Sequence, residues 1–163
     1  MNRIILLVED DDNDVFFMKR AMKLAGISNP LHVASDGRQA IQYLGGSGEH
    51  SNRAKFPLPC LVLLDLKLPH VMGLDVLKWI REQPELKNVI VLVFTSSKLP
   101  PDISRAYALG ANSYLVKPSS SAELPNMVGM IKRYWLDLNQ SAPTEESFEY
   151  LARMVPAALG TSP

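Results

Sequence analysis

Polar side chains that could do chemistry follow four apolar, strand-like runs of the sequence, each at the point where the run ends. They are, in chain order, Glu9 with Asp10, then Asp65, Thr95 and Lys117. Because the carboxyl ends of parallel strands meet at one edge of a sheet, these side chains are expected to lie close together. The sequence therefore predicts a site with carboxylates, a hydroxyl and an ammonium group.

The residue types at these strand ends indicate phosphoryl chemistry. Neighbouring carboxylates repel one another unless a cation lies between them, and oxygen ligands with room for water suit Mg²⁺. A carboxylate can attack phosphorus to give an acyl phosphate, and a flexible lysine ammonium can hold a phosphoryl oxygen. The metal would neutralise charge on the phosphoryl oxygens, and the Thr95 hydroxyl could position them. The pattern predicts a phosphoryl acceptor site.

Five apolar runs that suit strands alternate with five helical patterns as far as about residue 138. The predicted strands cover residues 4–8, 31–33, 60–64, 89–94 and 114–116. The longer runs are continuous, which is typical of strands that are buried on both faces. The alternation predicts an α/β fold, with a five-stranded parallel sheet that is doubly wound by helices. Residues 45–59, with three glycines and two prolines, are expected to form a long exposed loop.

The composition excludes several classes of protein. The 163-residue chain has 17 basic and 17 acidic side chains, so its charge does not favour nucleic acid as the main partner. Its apolar runs are too short to insert into a membrane, and it has no signal-peptide pattern. The single cysteine, Cys60, excludes an intramolecular disulfide. We expect a cytoplasmic protein that binds neither nucleic acid nor membrane.

Four motifs in order resemble the receiver domain of two-component response regulators. They are Val8-Glu9-Asp10, Leu64-Asp65 followed by Pro69 and Gly73, Thr95-Ser96, and Lys117-Pro118. The resemblance covers residues 3 to about 138 and implies a flavodoxin-like (βα)5 fold with strand order 2-1-3-4-5. The long loop before Cys60 and the pair Tyr134-Trp135 resemble the small stand-alone regulators that include phytochrome-associated ones.

The resemblance also implies a metal site and a phosphorylation site. A partner histidine kinase, of the phytochrome type or another sensor type, would phosphorylate Asp65 in a Mg²⁺-dependent reaction. The Mg²⁺ ion would be held by Glu9, Asp10, Asp65 and the backbone carbonyl of Lys67. Thr95 and Lys117 would bind the phosphoryl group, and the peptide bond between Lys117 and Pro118 is expected to be cis.

A conformational switch is the further implication of the resemblance. Tyr114, three residues before Lys117, matches the aromatic switch position of the family. Phosphorylation would draw Thr95 inward, let Tyr114 become buried, and change the surface of the last helix, the last strand and the helix that precedes that strand. That surface is a possible homodimer interface. The protein would act as a switch in a phosphorelay and not as an enzyme, apart from self-catalysed phosphoryl transfer and autodephosphorylation.

The predicted domain boundaries leave no place for a fused output domain. Residues 1–138 are expected to form the receiver domain, and 139–163 a tail that is extended or forms a short helix. Phe148, Leu151 and Val155 in the tail could dock on the domain, mediate dimerisation, or bind the cognate kinase when the tail becomes ordered. Output would then come through partner proteins, dimerisation or onward phosphoryl transfer.

Other functions fit the sequence less well. A Mg²⁺-dependent phosphatase of the haloacid-dehalogenase type needs an Asp-x-Asp motif, but Lys67 occupies the second acidic position. A constitutive flavodoxin-like binding module that is never phosphorylated is the main alternative. Lys67 could also alter how fast water removes the phosphoryl group. Asp11, Asp12 and Asp14 are expected only to cap the first helix.

Overall fold

The computed structural model describes residues 3–142 of the chain, and the tail residues Phe148, Leu151 and Val155 lie outside this range. The strands are β1 (Ile5–Val8), β2 (Leu31–Ala34), β3 (Leu61–Leu64), β4 (Val91–Thr95) and β5 (Ser113–Val116). The helices are α1 (Asp12–Leu24), α2 (Gly37–Gly45), α3 (Gly73–Glu82), α4 (Pro100–Ala108) and α5 (Leu124–Ile131). A short 3-10 helix, Gly48–His50, interrupts the long loop, and a π-helical segment, Lys132–Leu138, follows α5.

The five strands form one parallel sheet in the order β2-β1-β3-β4-β5, which confirms the predicted fold. The register aligns the carboxyl ends of the strands. Val8 pairs with Leu64, and Leu64 pairs with Val93 two residues before the end of β4. Thr95, the last residue of β4, pairs with Val116 at the end of β5. The residues that follow β1, β3 and β5 therefore lie side by side at one edge of the sheet.

Apolar residues on the two faces of the sheet form separate packed layers. Residues at alternate positions of each strand point to opposite faces, so Leu6 and Val8 pack with α2 and α3, while Ile5 and Leu7 pack with α1 and α5. A smaller cluster that includes Val93 and Ala106 holds α4. Burial of a Leu or Ile side chain stabilises a fold by about 2 kcal/mol, so the layers fix the strand ends firmly.

Gly73, at the start of α3, lies so close to the backbone of Asp65 that no side chain fits at this position. A Cβ atom at position 73 would come within 2.1 Å of the Asp65 carbonyl oxygen. The Gly73 N–H also donates a hydrogen bond to the Leu66 carbonyl at 3.0 Å. The close approach of the two backbones lets α3 begin directly behind the Asp65 loop, and only glycine provides the space.

The expected cis bond between Lys117 and Pro118 is wrong, whereas the expected helix to Leu138 is present. The last part of that helix, after Ile131, has π-helical hydrogen bonding. The Asn139 N–H donates to the Tyr134 carbonyl, five residues earlier, at 2.7 Å, which is the backbone hydrogen bond of a π-helix. The bond between Lys117 and Pro118 is trans, since the described residues contain no cis peptide bond. Trans is the lower-energy isomer of an X-Pro bond.

No helix among residues 3–142 is both long enough and apolar enough to span a membrane.

Candidate functional site

The Lys117 ammonium group is surrounded by three carboxylates at the carboxyl edge of the sheet. Its Nζ donates hydrogen bonds to Glu9 Oε2 at 2.6 Å, to Asp14 Oδ2 at 2.7 Å and to Asp65 Oδ2 at 2.7 Å. We call these four residues the Lys117 cluster. The structure thus brings together three of the five strand-end side chains, Glu9, Asp65 and Lys117.

Backbone hydrogen bonds that continue the sheet fix the members of the cluster that follow strands. The Glu9 N–H donates to the Ala34 carbonyl at 3.0 Å, and the Asp65 N–H donates to the Val8 carbonyl at 3.1 Å. Lys117 is attached in the same way, because its N–H donates to the Thr95 carbonyl at 2.8 Å. The carboxylates are therefore held on rigid strand ends.

Glu9 and Asp65 are buried, with exposed fractions of 2% and 6%, and both carboxylate oxygens of each residue are hydrogen-bonded. Their second oxygens accept from nearby backbone groups. Glu9 Oε1 accepts from the N–H of Asp11 at 3.1 Å, and Asp65 Oδ1 accepts from the N–H of Lys67 at 3.2 Å. Two loops thereby orient the carboxylates toward Lys117.

The electrostatics of the cluster reflect an excess of negative charge. Burial raises the pKa of Glu9 above its usual value, although the hydrogen bond from Lys117 opposes this shift. Burial alone would lower the pKa of Lys117, but its hydrogen bonds to Asp14, Asp65 and Glu9 together hold that pKa above its usual range. Lys117 therefore stays charged, while the buried carboxylates lack a full complement of positive charge.

Asp14 is a member of the site that the sequence pattern did not reveal. The expectation that Asp14 only caps α1 is wrong, because its carboxylate bonds Lys117. The cap is Asp11, whose Oδ1 accepts from the N–H groups of Asn13 at 2.8 Å and Asp14 at 3.3 Å. Asp14 lies in the first turn of α1, close in sequence to the strand end that carries Glu9, but this position alone does not distinguish it from the other acids there.

The donor set of the site is compatible with a divalent metal ion. Glu9 and Asp65 offer only oxygen atoms, which suit a hard cation, and their charge exceeds that of one ammonium group. Within residues 3–142, no three His, Cys, Asp or Glu side chains converge as a ready-made metal site. Asp10 is exposed, and Lys67 has an exposed side chain. Their roles as metal ligands stay predictions.

Thr95 and Tyr114 lie next to the cluster and are linked through Ser97. Thr95 is fully buried, and its Oγ1 accepts from the Ser97 N–H at 3.4 Å. The Tyr114 hydroxyl donates to the Ser97 carbonyl at 3.1 Å, and the Ser97 hydroxyl donates to Asp102 of α4 at 2.5 Å. The sequence pattern missed Ser97, which connects β4, α4 and β5 at one point.

Tyr134, Trp135 and Cys60, which the sequence also singled out, make no hydrogen bond to the side chains of the Lys117 cluster. Trp135 packs against the α1 and α5 layer, whereas Tyr134 is 56% exposed. Cys60 packs partly buried against the same layer.

Comparisons with known proteins show which proteins this chain is similar to. A family model described as the response regulator receiver domain matches residues 5–129. The probable methanogenesis regulatory protein FilR2 of Methanothrix harundinacea is 41% identical over 138 residues, which span 85% of this chain and 86% of that protein. The response regulator Rcp1 of Synechocystis sp. is 37% identical over 135 residues, 83% of this chain and 90% of that one.

Two solved structures are similar over nearly their whole length. The Mn²⁺-bound form of Rcp1 has a TM-score of 0.79 at 35% identity, covering 86% of this chain and 99% of that chain. The phosphorylated cyanobacterial phytochrome response regulator RcpA has a TM-score of 0.82 at 31% identity, covering 88% and 100%.

Proposed function

This chain belongs to the response regulator receiver family, and on that premise we propose that it is a phosphorylation-controlled switch with Asp65 as its phosphoryl acceptor. The observation that carries the proposal is the placement of the Asp65 carboxylate. It is buried at a strand end, 2.7 Å from the Lys117 ammonium. Receiver domains are regulators and not enzymes that turn over a substrate. The phosphoryl group is therefore a signal and not a product.

The proposed donor is a phosphohistidine of a sensor histidine kinase. An Asp65 carboxylate oxygen forms a bond to phosphorus as the bond from phosphorus to the imidazole nitrogen breaks, and the imidazole leaves with its electron pair. Lys117 and Thr95 bind the phosphoryl oxygens, and burial of Asp65 limits the access of water to the acyl phosphate. A kinase of the phytochrome class is the specific partner that we propose, on the likeness to RcpA.

We assign Mg²⁺ as the cofactor of this reaction. Glu9, Asp10, Asp65 and the backbone carbonyl of Lys67 would hold the ion, and Rcp1, a relative, has been solved with Mn²⁺ bound. The bound ion would neutralise charge on the phosphoryl oxygens. The raised pKa of Glu9 supports the assignment, since a buried carboxylate short of positive charge favours a cation.

The proposed output runs through the residues joined at Ser97. A change at Thr95 would reach the Ser97 N–H, and through the Ser97 carbonyl and hydroxyl it would reach Tyr114 and Asp102. The surface of β5, α4 and α5 would then change, which is the surface that we propose for partner proteins or a homodimer. The cytoplasmic location expected from the sequence belongs to the same proposal.

Intact-mass spectrometry after incubation with acetyl phosphate tests the proposal. The protein is expected to gain the mass of one phosphoryl group in Mg²⁺ and none in excess chelator. Asp65→Asn is expected to gain nothing under either condition, and Asp75→Asn, on the exposed side of α3, serves as the matched control that is phosphorylated normally. An equal gain in the Asp65→Asn protein would overturn the assignment. No gain in the wild-type protein would favour a constitutive binding module.

A further inference from the structure

Asp14 differs from the other carboxylates that hold Lys117. It lies on helix α1 and not at a strand end, and 42% of its side chain is exposed, against 2% for Glu9 and 7% for Asp65. Glu9 and Asp65 each use their second carboxylate oxygen to accept a backbone N–H, as described above. Asp14 is therefore the outermost of the three carboxylates and the one nearest to solvent.

The donors of Lys117 are fully used in this arrangement. A lysine ammonium has three N–H groups, and each of them meets one carboxylate oxygen, at 2.6 to 2.7 Å. A divalent cation that takes oxygens of Glu9 and Asp65 would remove two of these acceptors. Asp14 would then be the acceptor left to the ammonium group, and it would hold Lys117 beside the site.

We propose that Asp14 is a positioning residue that keeps Lys117 at the edge of the site while Glu9 and Asp65 bind a divalent cation. The inference rests on the proposed function for the nature of the site. Asp14 is thus a third acidic side chain, supplied by α1, that holds the Lys117 ammonium away from the oxygens that bind the metal ion. Asp14 does not itself bind the ion.

The balance of charges explains why Asp14 favours the cation-bound state. Without the cation, Asp14 shares one ammonium with two other carboxylates and is repelled by both. With the cation in place, those charges are neutralised and Asp14 has Lys117 to itself. The pair between Asp14 and Lys117 is thus stronger in the cation-bound state, so its removal weakens cation binding.

Calorimetric titration of the full chain with Mg²⁺ alone, repeated with Mn²⁺, measures this effect. Asp14→Asn is expected to raise the dissociation constant by up to about fivefold, the equivalent of one partly exposed ion pair. Asp12→Asn is the matched control, because Asp12 is also an acidic residue of the first turn of α1 but is exposed. It is expected to change the constant by less than about twofold, through long-range charge alone.

The ¹⁵Nζ resonance of Lys117 provides a second readout. With saturating Mg²⁺, a slowly exchanging ammonium signal is expected in the wild-type protein and in Asp12→Asn, and its loss is expected in Asp14→Asn. Thermal unfolding of all three proteins without metal shows whether a variant is folded. Asp14→Glu keeps the charge and is expected to restore part of the affinity.

Equal or tighter cation binding by Asp14→Asn relative to Asp12→Asn would overturn the proposal, as would the absence of saturable binding in the wild-type protein. The proposed function is tested separately, by the mass gain from acetyl phosphate. A wild-type protein that binds Mg²⁺ but is never phosphorylated would refute the function and leave the role of Asp14 standing.

Discussion

Two cationic side chains lie at opposite ends of strands β4 and β5, and they are held in different ways. Lys117, at the carboxyl end, donates to three carboxylates. Arg81 of α3, at the amino end, donates to the carbonyls of Gly110 at 2.9 and 2.8 Å and of Val89 at 2.9 Å, and to Asn112 Oδ1 at 3.0 Å. We call Arg81, Val89, Gly110 and Asn112 the Arg81 cluster.

The difference between the clusters lies in the charge of their acceptors. Carbonyl and amide oxygens are neutral, so the Arg81 cluster is satisfied by one cation and gains little from another. The Lys117 cluster contains more negative charge than its ammonium can balance, and a second cation can therefore compete with Lys117. The Arg81 cluster holds α3 to the loop before β5, whereas the Lys117 cluster has negative charge left for a second cation.

Loss of the Lys117 ammonium is expected to have the largest effect. Lys117→Gln should slow phosphorylation of Asp65 by acetyl phosphate by about 100-fold, because the positioned charge that meets the phosphoryl oxygens is gone. Quenched samples analysed by intact-mass spectrometry give the rate. Lys78→Gln, which removes an exposed ammonium of α3, is the control and should react at the wild-type rate. A Lys117→Gln protein that reacts as fast as this control would contradict the role of the Lys117 cluster in phosphorylation.

Loss of the Arg81 guanidinium should act on stability. Arg81→Gln is expected to lower the free energy of unfolding by about 2 kcal/mol, since the part-buried Val89 carbonyl and the exposed Gly110 carbonyl lose their donors. Urea titration measures the change, and Arg105→Gln, an exposed arginine on α4, should stay within about 0.5 kcal/mol of wild type. The phosphorylation rate of the Arg81→Gln protein should stay within about twofold of the wild-type rate. A tenfold slower rate in the folded Arg81→Gln protein would show that the two clusters are coupled.

A glycine beside the Lys117 cluster provides a third test. Gly73→Ala should lower the free energy of unfolding by about 1–2 kcal/mol, because the new methyl group would displace the Asp65 backbone. Gly129→Ala is the matched control: position 129 lies inside α5 with open space around it, and alanine there should stabilise the protein by about 0.5–1 kcal/mol. A stabilised Gly73→Ala protein would contradict the close packing behind Asp65.

The smallest expected difference between the two clusters is in how the free energy of unfolding depends on pH. The pKa of Glu9 is raised above its unfolded value of 4.5, so in chelator its contribution is complete below pH 4.5 and is lost as the pH rises through the folded-state pKa. Glu9→Gln should remove this loss. Arg81→Gln should lower the free energy of unfolding at every pH without changing its slope against pH in this range. Urea titrations at several pH values measure both slopes. Equal slopes for wild type and Glu9→Gln would contradict the raised pKa.

The sequence was sufficient to predict the fold and the strand ends for a simple physical reason. Continuous apolar runs such as 60–64 identify strands buried on both faces, and in a parallel sheet the residue after each strand falls at the same edge. The structure confirms the strand order and moves the strand limits by only one or two residues. The convergence of Glu9, Asp65 and Lys117 follows from that register.

The features that the sequence did not predict depend on side-chain contacts or on local backbone hydrogen bonds. An acidic residue in the first turn of α1 can cap the helix or reach a lysine, and the pattern of acids does not distinguish Asp11 from Asp14. Ser97 is an ordinary loop residue until its contacts with Tyr114 and Asp102 are known. The π-helical segment follows from local hydrogen bonding, which apolar spacing does not encode.

Two-dimensional amide NMR spectra, recorded before and after addition of Mg²⁺ with beryllofluoride as a phosphoryl mimic, test the central claim most directly. We predict large shifts for Glu9, Asp65, Ser97 and Tyr114, and unchanged signals for Gly110 and Asn112 of the Arg81 cluster. Shifts confined to the Arg81 cluster, or no saturable shift at Asp65, would contradict the account.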